Sequence, residues 1–147
     1  MSWALITEAD VLTHISGAEL ESLRVAALGS GQIDPVQPTI DQVTATIRGF
    51  VAACKMNKLD VDVTKVPTRL LGWALDIIIA EIINRVPGYD LDEGRKDNHD
   101  KAMSILKDVA ACKFAIDDPL TGDDPGHNVE QVSSTTRKAT RDSLDGL

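Results

Sequence analysis

Three features of the sequence predict an all-α protein. They are one long aliphatic stretch with helical spacing, a series of helix-capping pairs, and a single alternating run with no second strand-like segment to pair with. The aliphatic stretch is Val66 to Val86, VPTRLLGWALDIIIAEIINRV. At about 100° per residue its large apolar side chains cover most of the circumference. They leave one polar line: Arg69, Gly72, Asp76, Ala80 and Asn84. Pro67 suits a first helical position, because its φ is already helical and it has no amide to lose. Glu81 and Arg85, one turn apart, are placed to pair, and Pro87-Gly88 ends the run. A helix apolar nearly all round is a central one, wrapped by its neighbours or by other subunits. Asp76 and Glu81 break it well short of the roughly 18 uncharged residues of a membrane span, so no membrane role is expected.

The remaining elements follow from their caps. Thr7 with Asp10 predicts a helix over 8–14, with Ile6 and Val11 closing a hydrophobic staple. Ser16 with Glu19 is a second capping box and opens a helix over 17–28, carrying Leu20, Leu23 and Leu28, which Gly29 stops. The proline-rich SGQIDPVQP reads as an extended loop over 30–38. Thr39 with Gln42 is a third box, starting a helix over 39–56 with Ile40, Val43, Ile47, Phe50, Val51 and Cys54 on one face. Gly49 within it costs about 1 kcal/mol against Ala and suggests a close helix crossing. LDVDVT (59–64) alternates strictly and reads as an extended connector able to pair with another chain. The central helix follows over 67–85, and a last helix over 91–111. The charged first half of that last helix is expected to project beyond the core, and its second half carries Ala102, Met103, Ile105, Leu106, Val109 and Ala110. The expected fold is thus a small bundle of these helices around the aliphatic one, with extended connector loops and a non-globular C-terminal arm.

The 147 residues suit one domain and a tail, divided here at 1–116 and 117–147. Hydrophobic residues are 43% and aromatics only 3%, so the core is aliphatic. A net charge of −8 repels nucleic acid phosphates and argues against a DNA- or RNA-reading module. An acidic wall along which DNA slides without sticking remains compatible. Cys54 and Cys112 form no C-x-x-C pair, so buried free thiols in a reducing compartment are expected, with a disulfide between two helix ends as the alternative. The N-terminus lacks the pattern of a signal peptide, and cytoplasmic synthesis is expected.

Nothing in the sequence supports an enzyme, and no cofactor or metal is expected. His14, His99 and His127 share no ligand spacing and read as solvated or capping histidines. DDPLTGDDP lacks the spacing and closing Glu of a calcium loop and reads as acidic turns. Asp76 in the central helix is either a functional buried acid or, better, the partner of Arg69 seven residues earlier or of a neighbouring subunit. Trp73 beside it reads equally as an interface anchor or a core residue. Beyond Ile116 the chain is turn formers and hydroxyls and cannot build a core, so any order it takes must come from another molecule. Its apolar anchors would be Val129, Val132 and Leu144, with Arg137, Lys138 and Arg141 meeting acidic surface.

The order of the pieces carries a resemblance. ITEADVLTHI is followed by GQID, then by the helix with Ile47, Phe50 and Val51, then by V-P-x-x-L-L and the aliphatic helix, and last by HDKAMSILKDVA. Over about residues 4–116 the chain resembles the Mu-like phage family of small head–tail connector, or adaptor, proteins. The resemblance implies a structural virion protein, made in the host cytoplasm, that sits at the head–tail interface as a dodecameric ring. Such a ring meets the portal protein above and a stopper or tail-completion protein below. It extends the DNA channel without sequence-specific binding. A different reading of the same residues is a small helical adaptor or regulator that binds a host or phage protein through its apolar helix.

Overall fold

A computed structural model describes residues 2–119. In chain order they form β1 (Trp3–Leu5), α1 (Glu8–Val11), α2 (Gly17–Gly29), α3 (Val36–Ala53), β2 (Lys65–Pro67), a 3₁₀ turn (Thr68–Leu70), α4 (Leu71–Arg85) and α5 (Glu93–Ala110). The fold is all-α apart from one small two-stranded sheet. Helix α4 is the centre: it packs against α1, α2, α3 and α5. Eight of its 15 residues are buried, among them Ile77, Ile78, Ile79, Ile82 and Ile83. Its apolar surface is covered by the chain's own helices, so little of it is left for another subunit. The polar line also breaks, since Ala80 is fully buried while Gly72 and Asn84 are exposed.

The first two caps form where the spacing puts them. Thr7 Oγ1 accepts from the Asp10 amide, and the Asp10 carboxylate accepts from the Thr7 amide at 2.8 Å. Helix α1 lasts one turn, because Thr13 and His14 bond three residues back rather than four and tighten the chain into a turn. Ser16 Oγ accepts from the Glu19 amide at 3.1 Å, but the Glu19 carboxylate leaves the box for Arg95 of α5. Helix α2 runs through Gly29 to its C-cap Ser30, and the glycine that closes it is Gly31 rather than Gly29. Gly31 has φ +86°, its amide bonds Leu28 O, and the Gln32 amide bonds Ala27 O, which is a Schellman ending.

The third cap is displaced. Helix α3 starts at Val36, whose amide is held by Asp34 Oδ1 at 3.0 Å. Pro35 and Pro38 fall at positions where a helix has no use for an amide, so 30–35 is irregular as expected but 36–38, the end of the expected loop, is the first turn of α3. Thr39 is fully buried inside the helix, and its hydroxyl has no partner. Gly49 is exposed with open space around it and marks no helix crossing.

The extended segment also finds a partner inside the chain. Residues 65–67, rather than 59–64, pair antiparallel with β1, with Trp3 opposite Pro67 and Leu5 opposite Lys65. Pro67 therefore ends a strand instead of starting α4. Residues 60–65 curl around Arg48 of α3, whose guanidinium donates to the carbonyls of Asp60 (2.7 Å), Asp62 (3.1 Å) and Lys65 (2.8 Å). The same guanidinium stacks 5.2 Å over the Trp3 ring.

Helix α5 is capped by Asp92, which accepts from the Arg95 amide at 2.7 Å. Its charged half does not stand free: Arg95 forms a two-pronged pair with Glu19 of α2, at 2.5 and 2.9 Å. Expected pairing of Glu81 with Arg85 is absent, since Arg85 bonds Gln42 of α3 at 2.5 Å and Glu81 lies 4.0 Å from His99. Helix α5 ends in a second Schellman turn, with Cys112 (φ 62°) at the position glycine normally takes. Cys112 is joined to Cys54, just past the end of α3, so the expectation of two free thiols is overturned. Both cysteines stand at helix ends that other packing has brought together, with Cα atoms 5.3 Å apart, well inside disulfide range.

Candidate functional site

Past Cys112 the chain turns back over the start of α4 as a strap, residues 113–119. Phe114 meets Trp73 edge to face, with ring centroids 5.6 Å apart. The Ala115 carbonyl accepts from Arg69 at 3.2 Å. The Asp117 carboxylate accepts from the Arg69 amide at 3.1 Å and lies 4.0 Å from its guanidinium, and the Asp117 carbonyl accepts from the Trp3 indole at 2.8 Å. Arg69 and Trp73 therefore share one place, as receptors for the strap. Asp76 is not Arg69's partner, because Arg69 is committed to Asp117 and Ala115. Asp76 is half-buried and lines a small cavity of about 120 Å³ with His14, Ile79, Arg95 and Asn98. The residues expected to anchor the arm, Val129, Val132, Arg137, Lys138, Arg141 and Leu144, lie outside the described residues.

The surface carries two apolar groups, one of them including Leu28, expected on the inner face of α2, and the other Val61 and Val63 of the alternating connector. On the α2 side, Val25 (61% exposed), Leu28, Ile33 and Tyr89 face solvent, and Val25 and Tyr89 share an open cleft with Ala18, Glu21, Ser22 and Ala26. On the other, Val63 (71% exposed), Leu5 and Val61 are exposed along β1 and the loop around Arg48, while exposed Met56 lines a separate cleft at the end of α3. Leu5 and Val63 line a second cleft with Ile40, Asp41, Thr44 and Ala45 of α3. The two groups share no residue and no helix.

Electrostatics add little chemistry. Hydrogen bonding from Arg95 holds the Glu19 carboxyl below its ordinary value of 4.5, and the same bond raises Arg95. Arg24 is raised by Glu8 first and by Asp34, which it bridges between α1, α2 and the start of α3. Among the described residues no cluster of His, Cys, Asp or Glu could hold a metal, and no helix is long and apolar enough to cross a membrane.

Sequence reasoning missed Trp3, Arg48 and Asp117, which together hold the N-terminal strand, the connector loop and the strap. Arg48 carried one signal: a cation beside the apolar face of α3, followed by a loop rich in carbonyls that need donors. Asp117 carried none, because its partners stand 48 and 114 residues away.

The family model described as Bacteriophage Mu, Gp36 matches residues 6–134. The match runs past residue 116, where the resemblance was expected to end, and takes in the strap and residues 120–134. No curated protein and no solved structure matches the chain. With most of its length matched, the chain belongs to the bacteriophage Mu Gp36 family.

Proposed function

We propose that this phage protein is a structural virion component, a head–tail connector whose copies join head to tail into a ring beneath the portal. The supporting observation is the pair of unlike apolar faces on one small body. Scattered exposed apolar side chains are ordinary, whereas contiguous groups mark interaction sites. A two-fold dimer uses one patch twice; two unlike patches suit a heterologous contact, which closes as a ring when the rotation allows. A net charge of −8 supports a channel wall that DNA passes without being read. The ring would seat on the portal protein and offer its far side to a stopper or tail-completion protein. In this reading the segment expected to dock from residue 117 onward, of which 117–119 lie in the strap, meets a neighbouring copy or the portal.

Size-exclusion chromatography and negative-stain imaging of the full chain, with and without portal protein, test the proposal. A ring, or assembly that depends on portal, is the expected result. A discrete dimer that ignores portal would overturn it and favour a helical regulator of another protein. A chain truncated after Pro119 keeps every strap contact and should stay folded, yet fail to join particles.

A further inference from the structure

We propose that the Cys54–Cys112 disulfide is a redox latch that fastens the strap to the helical body after the protein leaves the reducing cytoplasm. Four observations carry it. The bond joins the ends of α3 and α5 across 58 residues, and the strap begins at the next residue, Lys113. Both cysteines line one open cleft with Met56, Lys113, Phe114 and Ile116, and although Cys54 is buried, Cys112 is exposed, so small thiols and disulfides can reach the bond from its side. Cys112 holds the left-handed φ of 62° at the end of α5, a conformation that a side chain adopts reluctantly when nothing fixes it. Without the bond, the strap keeps the partly buried Phe114 and Ile116 against the core and the contacts of Ala115 and Asp117 with Arg69 and Trp3, with no fully buried residue to hold it. Reduction therefore frees the end of α5 to unwind by a turn and lets the strap lift, while the core of α3, α4 and α5 stays packed.

The chemistry is thiol–disulfide exchange with a low-molecular-weight disulfide. The thiolate of exposed Cys112 attacks one sulfur of that disulfide and expels one small thiolate. The Cys54 thiolate then attacks the Cys112 sulfur of the mixed disulfide and expels the second. Two protein thiols lose two protons and two electrons, and one small disulfide becomes two small thiols. In the cytoplasm an excess of small thiol runs the sequence backwards. A connector built this way would assemble with a loose strap and be locked once particles are released. This timing rests on the proposed virion role; the latch itself does not.

The chain's two tryptophans both touch the strap, which makes its state visible in intrinsic fluorescence. The full chain is compared after treatment with dithiothreitol and with glutathione disulfide. Three readouts are taken: tryptophan emission, the far-ultraviolet spectrum, and the rate at which trypsin cuts after Lys113, followed by mass. The expected result is cleavage about tenfold faster in the reduced form, with shifted emission and an unchanged helical spectrum. Equal cleavage and emission in the two states overturn the latch. Loss of the helical spectrum on reduction also overturns it, by making the bond a staple of the whole fold. The double variant Cys54→Ser, Cys112→Ser should match the reduced form and ignore dithiothreitol; a response to dithiothreitol contradicts the proposal. Alkylation of living producing cells before lysis should trap free thiols, and a disulfide already closed there overturns the timing. Absence of the chain from purified particles would refute the virion role, while the purified-protein measurements still judge the latch.

Discussion

Helix α4 and the strap lie against each other and are held by opposite means. Eight residues of α4 are buried against four neighbouring helices, and no single contact matters much beyond its share of apolar area. The strap from Lys113 to Pro119 has no fully buried residue, and it stays through the disulfide at its start, the partly buried Phe114 and Ile116, and a few hydrogen bonds. The core element tolerates local change in proportion to the volume removed. The strap depends on named pairs, each of which can be cut. An element fastened in the second way is one that a small chemical change can release.

The largest expected effect is in the core. Replacing Ile78 or Ile82 with Ala should cost about 2–5 kcal/mol, because each side chain is almost wholly buried and leaves a cavity. Chemical denaturation measures it, and a midpoint unchanged by both substitutions would remove α4 from the centre. Next comes the disulfide. Closing 58 residues restricts the unfolded chain, so Cys54→Ser with Cys112→Ser should cost about 2–4 kcal/mol in oxidising buffer. Full retention of stability would mean the bond does not form in solution. Smaller still is Asp117→Ala, which removes the carboxylate from Arg69 and should cost at most about 1 kcal/mol. Amide exchange over 113–119 should nevertheless speed up while that of α4 does not, and a uniform change along the chain would erase the contrast between the two regions.

The smallest effect is electrostatic. Glu19 is held below its ordinary 4.5 chiefly by the hydrogen bond from Arg95. A carboxylate whose folded pKa is depressed contributes stability that is complete above the unfolded value and fades as pH falls through the folded one. Glu19→Gln should therefore lower stability by at most about 1 kcal/mol at pH 7, and the gap from wild type should narrow as pH falls below the ordinary 4.5 and through the lower folded value. A gap that is the same at pH 7 and pH 3 would show that the loss is not ionic.

What was legible in the sequence follows the same division. The existence of all five helices, the centrality of α4 and the first two caps could be read from apolar spacing and from side chains acting three residues away. Boundaries failed where two local signals competed. Pro35 and Pro38 read as loop because proline excludes most of a helix, yet a first turn accepts it, so α3 began earlier and Thr39 became core instead of cap. The strand at 65–67 was invisible because its partner, Trp3–Leu5, is only three residues long. The candidate site was read in part. Arg69 and Trp73 were singled out, but as neighbours of Asp76 rather than as seats for the strap. Long-range polar pairs such as Trp3 with Asp117 leave no period in the sequence. The cysteines were misjudged because a reducing site of synthesis was allowed to outweigh their place at two helix ends.

The claim that two unlike apolar faces join copies head to tail has one direct test. Val25→Asp damages the α2 face and Val63→Asp the face along β1; both side chains are exposed, so neither change should disturb the fold. Each variant alone should fail to form rings. Native mass spectrometry of their mixture should show a one-to-one dimer and nothing larger, because one intact copy of each face remains and can meet only once. Rings from either variant alone, or no mixed dimer, would contradict the account.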